Sequence, residues 1–356
     1  MTDNRLRVLV TAVGGAGHGE QILKALRLAP DQRYYIIGGD ARSDCPQFAL
    51  VEKAVTLPLA SDPAYVETIL DICERLQVRA LFHGCEPELR RFSEAREAIR
   101  ARGIFLPINP ASVIDACLDK EASSRMLTGL GFEVPRFLRA LSRSDLETVD
   151  WFPVVVKPSI GGGGSANVFI AQSRAELLGL ADYLGLNTMA STFLVQEYVG
   201  RPEDEFTVGV LHDMDGNYLN AIAVHRQLFT QLNLRTVVPN RTNRSDLGPK
   251  LVVSSGVSQG RVGRFAAVTS QCREIARAIG ARGPINIQCR VVKGMVKVFE
   301  INPRFSGTTS IRAMAGYNEP DVLLRRHVMG EVIVPDFPYR EGDVIRSLVE
   351  TWVSSR

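Results

Sequence analysis

Residues 298–307 read VFEINPRFSG, and the rest of the chain can be organised around them. Strand periodicity puts Glu300 and Asn302 on one face, alternating with Phe299 and Ile301. Pro303 follows, and Arg304 lies just beyond it. Upstream, INIQC (285–289) places Asn286 and Gln288 on one face by the same period. Segments 285–292 and 295–302 meet at Lys293-Gly294, which predicts a hairpin. If these strands pair, Gln288, Glu300 and Asn302 converge. A polar trio turned inward on apolar strands is costly unless something satisfies it. An internal salt-bridge network is the structural way to satisfy it; a bound cation is the functional one.

Nearer the N-terminus, VVVKPSIGGGGSA (154–166) reads as a strand ending at Lys157, followed by a four-glycine loop. A lysine there neutralises phosphate charge, and loop amides close over phosphates because no side chain blocks the backbone. The lysine precedes the glycines, so this is not a Walker loop. The candidate phosphate contacts are Lys157, Gly162, Gly163 and Gly164; a flexible loop beside a solvated lysine is the bland alternative. FLVQEYV (193–199) reads as an apolar, extended hinge whose backbone pairs with an adenine edge, with Glu197 and the Val199 amide as partners. Glu205 is the candidate for ribose hydroxyls. Gln288, Glu300 and Asn302 suit Mg2+, which takes few carboxylates and completes its octahedron with phosphates and waters. Arg304 is placed to counter charge on a transferring phosphoryl group.

Segments 154–166, 193–206 and 285–307, in this order, resemble the ATP-grasp superfamily, and within it the carbamoyl-phosphate-synthetase-like branch of carboxylate–amine ligases. The resemblance covers about residues 1–330. It implies a pre-ATP-grasp domain, then a two-lobed ATP-grasp module. It implies Lys120 and Lys157 as the two phosphate-contacting basic positions, Glu197 and Val199 on adenine, and Glu205 on ribose. Gln288, Glu300 and Asn302 would hold magnesium (two ions, with Mn2+ able to substitute), and Arg304 would be the catalytic arginine. The chain is far shorter than a carbamoyl-phosphate synthetase. It also has Gly307 where that family carries a second arginine. A stand-alone ligase for organic acids is therefore expected in place of bicarbonate phosphorylation.

The fold class expected is α/β: a Rossmann-like parallel-sheet domain over 1–110, then an α+β module over 111–335. The module divides into a glycine-loop lobe (111–200) and a metal and substrate lobe (201–335), and 336–356 is a C-terminal extension. The run LRVLVTAV (6–13) leads into Gly14-Gly15-Ala16-Gly17-His18-Gly19, which fails G-x-G-x-x-G in either register. A tight strand–helix turn is the preferred reading, with dinucleotide binding at Asp40 as the alternative. A net charge of +3 excludes nucleic acid and anionic membranes as main partners. No run of about 18 apolar residues spans a bilayer. Six cysteines without a C-x-x-C pair read as reduced thiols of a cytoplasmic protein.

The reaction implied by the resemblance phosphorylates a carboxylate and passes the acyl group to an amine, giving ADP and phosphate. Arg226, Arg235 and Arg312 are candidates for the acid; Glu86 and Glu88 are candidates for the amine, with helix capping as the alternative. The partners expected are these small molecules and a second copy in a homodimer. Carboxylate kinases, ester- or thioester-forming ligases, and a non-catalytic nucleotide module remain open alternatives.

Overall fold

The computed structural model describes residues 3–15, 17–161, 165–185 and 193–351. Strands β1 (Leu6–Val10), β2 (Tyr34–Asp40), β3 (Lys53–Thr56) and β4 (Ala80–Phe82) form a parallel sheet in the order β3-β2-β1-β4. Both faces are covered, which is why β1 reads as a continuous apolar run. Val8 and Val10 pack with Ile22, Leu23 and Leu26 of the helix His18–Arg27. Leu9, pointing the other way, packs with Ile69, Leu70 and Ile72 of the helix Tyr65–Arg75.

Strands β5 (Phe137–Ala140), β6 (Val154–Pro158), β7 (Phe169–Ala171) and β8 (Phe193–Glu197) form an antiparallel sheet ordered β5-β8-β6-β7. Beyond it run β9 (Glu205–His212), β10 (Tyr218–Arg226), β11 (Leu234–Pro239), β12 (Lys250–Ser254), β13 (Gly260–Gly263), β14 (Pro284–Val292), β15 (Met295–Asn302) and β16 (Gly342–Val344). β11 and β12 pair with each other. The others make an antiparallel sheet ordered β15-β14-β9-β10-β13-β16. The expected hairpin is present: Lys293 and Gly294 have φ of 51° and 80°, the left-handed pair that a two-residue turn between twisted strands favours. The helix Ala266–Ala278 covers this sheet, burying Val268, Cys272 and Ile275 against Val208 and Ile287.

The parallel sheet shares a core with the C-terminal sheet. Phe82 packs against Phe305, and the same cluster takes in Ile311, Tyr317 and Leu323. Asn109 fastens the join, its Nδ2 donating to Pro284 O at 2.7 Å and to Pro303 O at 3.0 Å. One amide thus holds the start of β14 and the end of β15 together.

Three elements differ from the sequence expectations. The run CLDKEASSRML (117–127) reads by pattern as one helix, but the structure has two, Ala111–Leu118 and Lys120–Gly129, broken at the extended residue Asp119. Its carboxylate accepts from Glu121 N and Ala122 N, an N-cap that period counting cannot see. Residues 226–250, which read in sequence as a polar, basic stretch without a strand, contain β11, whose alternating half-buried and exposed residues give it no fully buried face. Within 336–351, β16 pairs with β13 and supplies the edge strand of the sheet. Among the described residues, no helix is long and apolar enough to cross a membrane.

Candidate active site

A cavity of about 930 Å3 opens where all three large sheets meet. Its walls include the turn after β1 (Gly15, Gly17, His18), the loop after β4 (Gly84–Pro87), Lys157 and Gln196–Val199, and Gln288 with Glu300, Asn302 and Arg304.

The polar trio converges as the strand period requires. Gln288 lies opposite Glu300, and Asn286 opposite Asn302, in the β14–β15 register. Gln288 Nε2 donates to Glu300 Oε2 at 3.4 Å. Asn302 Oδ1 accepts from Arg304 Nη2 at 2.9 Å, so the arginine is anchored two residues from the strand end. The same nitrogen donates to Glu86 Oε1 at 2.6 Å. Burial alone would raise Glu86, but the charge and hydrogen bond of Arg304 outweigh it and hold the carboxyl below its ordinary range.

Lys157 crosses from the glycine-loop sheet to this hairpin. Its Nζ donates to Gln196 Oε1 at 2.8 Å and to Phe299 O at 2.9 Å, next to Glu300. Both acceptors are neutral, and the side chain is buried. Burial, with a smaller push from Lys120, outweighs the opposing charge of Glu300 and brings the ammonium down to about 7. A buried cation without a carboxylate of its own is costly, and an anionic ligand such as a phosphate would supply the missing charge. Lys120 also lines the cavity, and its Nζ donates to Gly161 O at 3.0 Å at the start of the glycine loop. Gly162, Gly163 and Gly164 lie outside the described residues.

The hinge lines the cavity with Glu197, Tyr198 and Val199. Glu197 is within 3.5 Å of Arg244 Nη1, and Val199 O accepts from Arg290 Nη1 at 3.2 Å.

Several candidates are placed otherwise. Glu205 lines the wall but has no spare lone pair for a ribose. Its Oε1 accepts from Arg226 Nη1 and Ser254 Oγ, and its Oε2 from Arg290 Nε and Nη2. Four donors fill the four acceptor positions of a carboxylate. Arg226 is committed in turn, giving its four Nη hydrogens to Glu205, Ser254, Ser255 O and Val257 O. It is therefore not an open fork for a substrate acid. Arg235 is exposed on β11 and does not line the cavity. Arg312 is fully buried and bonds to Glu319 and to Asn286 Oδ1, so it orients a cavity residue without reaching the cavity. Glu88 is buried too. It accepts from Thr11 Oγ1, Tyr65 OH and Gly84 N, and so braces the loop after β4 instead of facing the cleft. Arg235 apart, each of these charged residues, which sequence alone leaves free, finds a partner from another element.

The first glycine cluster has a packing explanation. A Cβ on Gly19 would sit 2.3 Å from Ala12 O, and one on Gly84 would sit 2.0 Å from Thr11 O. Asp40 Oδ2 accepts from Gly14 N at 2.8 Å, closing the turn. Sequence reasoning missed Gln196, Asn286 and His18 as cavity residues. Gln196 carried the clearest signal, a lone amide inside an apolar strand.

A divalent cation fits this donor set only together with a ligand's oxygens. Glu300 is the single carboxylate of the trio, and Asn302 Oδ1 already serves Arg304. Among the described residues, no group of three or more His, Cys, Asp or Glu side chains is arranged to hold a metal. Mg2+ bound through one or two carboxylates plus phosphates and waters matches that sparse set.

Comparisons with known proteins agree with this geometry. A family described as PylC-like, N-terminal domain matches residues 8–107, and one described as ATP-grasp in the biosynthetic pathway with Ter operon matches 254–346. The carbamoyl phosphate synthase large chain of Thermoplasma acidophilum is 24% identical over 271 residues, covering 72% of this chain and 24% of its own length. The chain thus spans about a quarter of the length of the curated relatives it matches. In fold it is similar to N5-carboxyaminoimidazole synthetase from Staphylococcus aureus complexed with ADP (TM-score 0.63, 15% identity, 95% of this chain and 80% of that one). It is also similar to an L-amino acid ligase from Bacillus licheniformis (TM-score 0.62, 19% identity, 94% and 78%). The motifs, the sheets and these relatives agree: the chain carries an ATP-grasp domain, matched over residues 254–346, and is similar in sequence to carbamoyl phosphate synthase large chains.

Proposed function

We propose that the protein is an ADP-forming ligase that phosphorylates a small carboxylic acid and transfers the acyl group to an amine. The observation that carries this reading is Lys157. Its buried ammonium touches the backbone beside Glu300 and has only neutral partners, facing Gln288, Asn302 and Arg304 across one cavity. In this reading Lys120 and Lys157 hold the phosphates, Glu197 and Val199 the base, and Glu300, Gln288 and Asn302 the cation. Mg2+ would supply charge neutralisation and orientation at the phosphate oxygens. Arg304, fixed by Asn302 and Glu86, stabilises charge on the phosphoryl group as the acid's oxygen attacks. The glycine loop, tethered through Lys120 to Gly161 O, excludes water that would otherwise hydrolyse the acyl phosphate. Positioning and electrostatics carry the chemistry, so no side-chain nucleophile is required.

Two relations support the choice of ligase. The relatives matched by sequence include carbamoyl phosphate synthases, and the similar structures include an L-amino acid ligase and an N5-carboxyaminoimidazole synthetase. The test is ADP release with Mg-ATP over a panel of amino acids and small carboxylic acids, each with and without an amine. Acid-dependent ADP release, an amide product and loss of both in Glu300→Ala are expected. Acid-dependent turnover unchanged in Glu300→Ala would remove the metal assignment, and ADP release without amide would remove the amine as acceptor.

A further inference from the structure

One cavity side chain has no role in the ligase reading. Gln196 lines the cavity and is 2% exposed. Its Oε1 accepts from Lys157 Nζ at 2.8 Å. Lys157 in its ammonium form can only donate, and for that form the oxygen is the amide atom that faces it. Nε2 is then the free end, and among the described residues this buried donor has no hydrogen-bond partner. Leaving such a donor unpaired destabilises a site, so its persistence in a cavity wall points to an acceptor brought by the ligand.

The surroundings say what kind of acceptor. Val155 stands opposite Gln196 in the β6–β8 register and shares its face, and both line the cavity with Val252 and Phe299. Apolar walls of this kind suit a flat aromatic ring. Glu197, the hinge residue proposed to meet the base, follows Gln196 directly. If the hinge takes the edge of a purine that carries N1 and the exocyclic amine, N3 lies beside the ribose. N7 is then the ring acceptor left over, next to the exocyclic amine. The last torsion of a glutamine is soft, so the amide can turn Nε2 toward the ring while Oε1 keeps Lys157.

We propose that Gln196 reads the nucleotide base, with Nε2 donating to purine N7 while Oε1 holds the phosphate-binding Lys157. One amide would then couple recognition of the base to placement of the phosphate cation. This inference rests on the nucleotide reading of the cavity and adds to it a base contact that neither the hinge nor the glycine loop supplies.

The probes are Mg-ADP and Mg-7-deaza-ADP, in which N7 is replaced by a C–H group, titrated calorimetrically into the full chain. Wild type is expected to bind the deaza analogue about tenfold more weakly, the order of effect for leaving one buried donor unpaired. Gln196→Met removes the donor. It should weaken both ligands through the lost Lys157 contact and bring their ratio to about one. Gln196→Glu keeps a group for Lys157 but turns an acceptor toward N7, so the preference should vanish or reverse. Equal affinities in wild type, or a tenfold preference surviving in both variants, would overturn the assignment. If wild type binds neither ligand, the nucleotide reading itself falls and Gln196 with it. Binding of ADP without discrimination removes only the Gln196 contact.

Discussion

Glu86 Oε1 lies 2.6 Å from Arg304 Nη2, joining the first turn of a helix on the parallel-sheet unit to the loop that follows β15. The two residues are 218 positions apart. This ion pair, together with Asn302 Oδ1, fixes the direction of the guanidinium that the proposed reaction would use at the phosphoryl group. Glu86→Gln should keep a hydrogen-bond acceptor but lose the charge. Turnover is expected to fall about tenfold, with ATP affinity changed less than threefold, on the scale of one weakened charge-assisted contact. Steady-state kinetics check this; a change confined to the ATP KM would point to ligand binding by Glu86 itself.

Arg304→Ala removes the transition-state donor outright. Turnover should drop about 10²-fold or more while the ATP dissociation constant stays within a few-fold. Rapid-quench measurement of ADP formation separates the two. Weak ATP binding with normal turnover would contradict the role.

Lys157 sets a pH signature. Its ammonium lies at about 7 in the free protein because it is buried. At pH 8 most of it is neutral, and a phosphate ligand draws a proton onto it. Mg-ADP binding should therefore take up protons at pH 8 and almost none at pH 6, read as a buffer-dependent heat in calorimetry. Lys157→Met should abolish the difference. The stability sign comes from the same shift. Between about 7 and the ordinary 10.5 the unfolded chain binds a proton that the folded chain does not, so stability rises with pH across that window. The methionine variant should flatten that rise in a chemical-denaturation series.

Glu205 is a structural centre. Removing its carboxylate in Glu205→Ala leaves Arg226 and Arg290 as buried, uncompensated cations. The cost should be about 3–5 kcal/mol, read by urea denaturation. A variant of unchanged stability with a raised ATP KM would restore a ribose-binding role.

The hairpin and its converging trio are legible in the sequence because strand period and a Lys-Gly turn are local properties. The parallel sheet is legible because Val8, Leu9 and Val10 of β1 are apolar on both faces. Glu205, Arg226, Glu88 and Arg312 are not legible, because each is hydrogen-bonded by a residue from another element, and pairing of that kind leaves no mark on local pattern. Asp119 shows the same limit at short range: an extended residue between two helices is invisible to hydrophobic period, although its cap on the second helix is a local contact.

The ligase reading depends above all on the phosphates of a nucleotide lying between Lys157 and Glu300. A crystal structure with Mg2+ and ADP is the decisive measurement. A phosphate oxygen is expected within hydrogen-bond distance of Lys157 Nζ, with a cation on the Glu300 carboxylate. Nucleotide bound instead at the Gly14–Gly19 turn, or a cation away from Glu300, would contradict it.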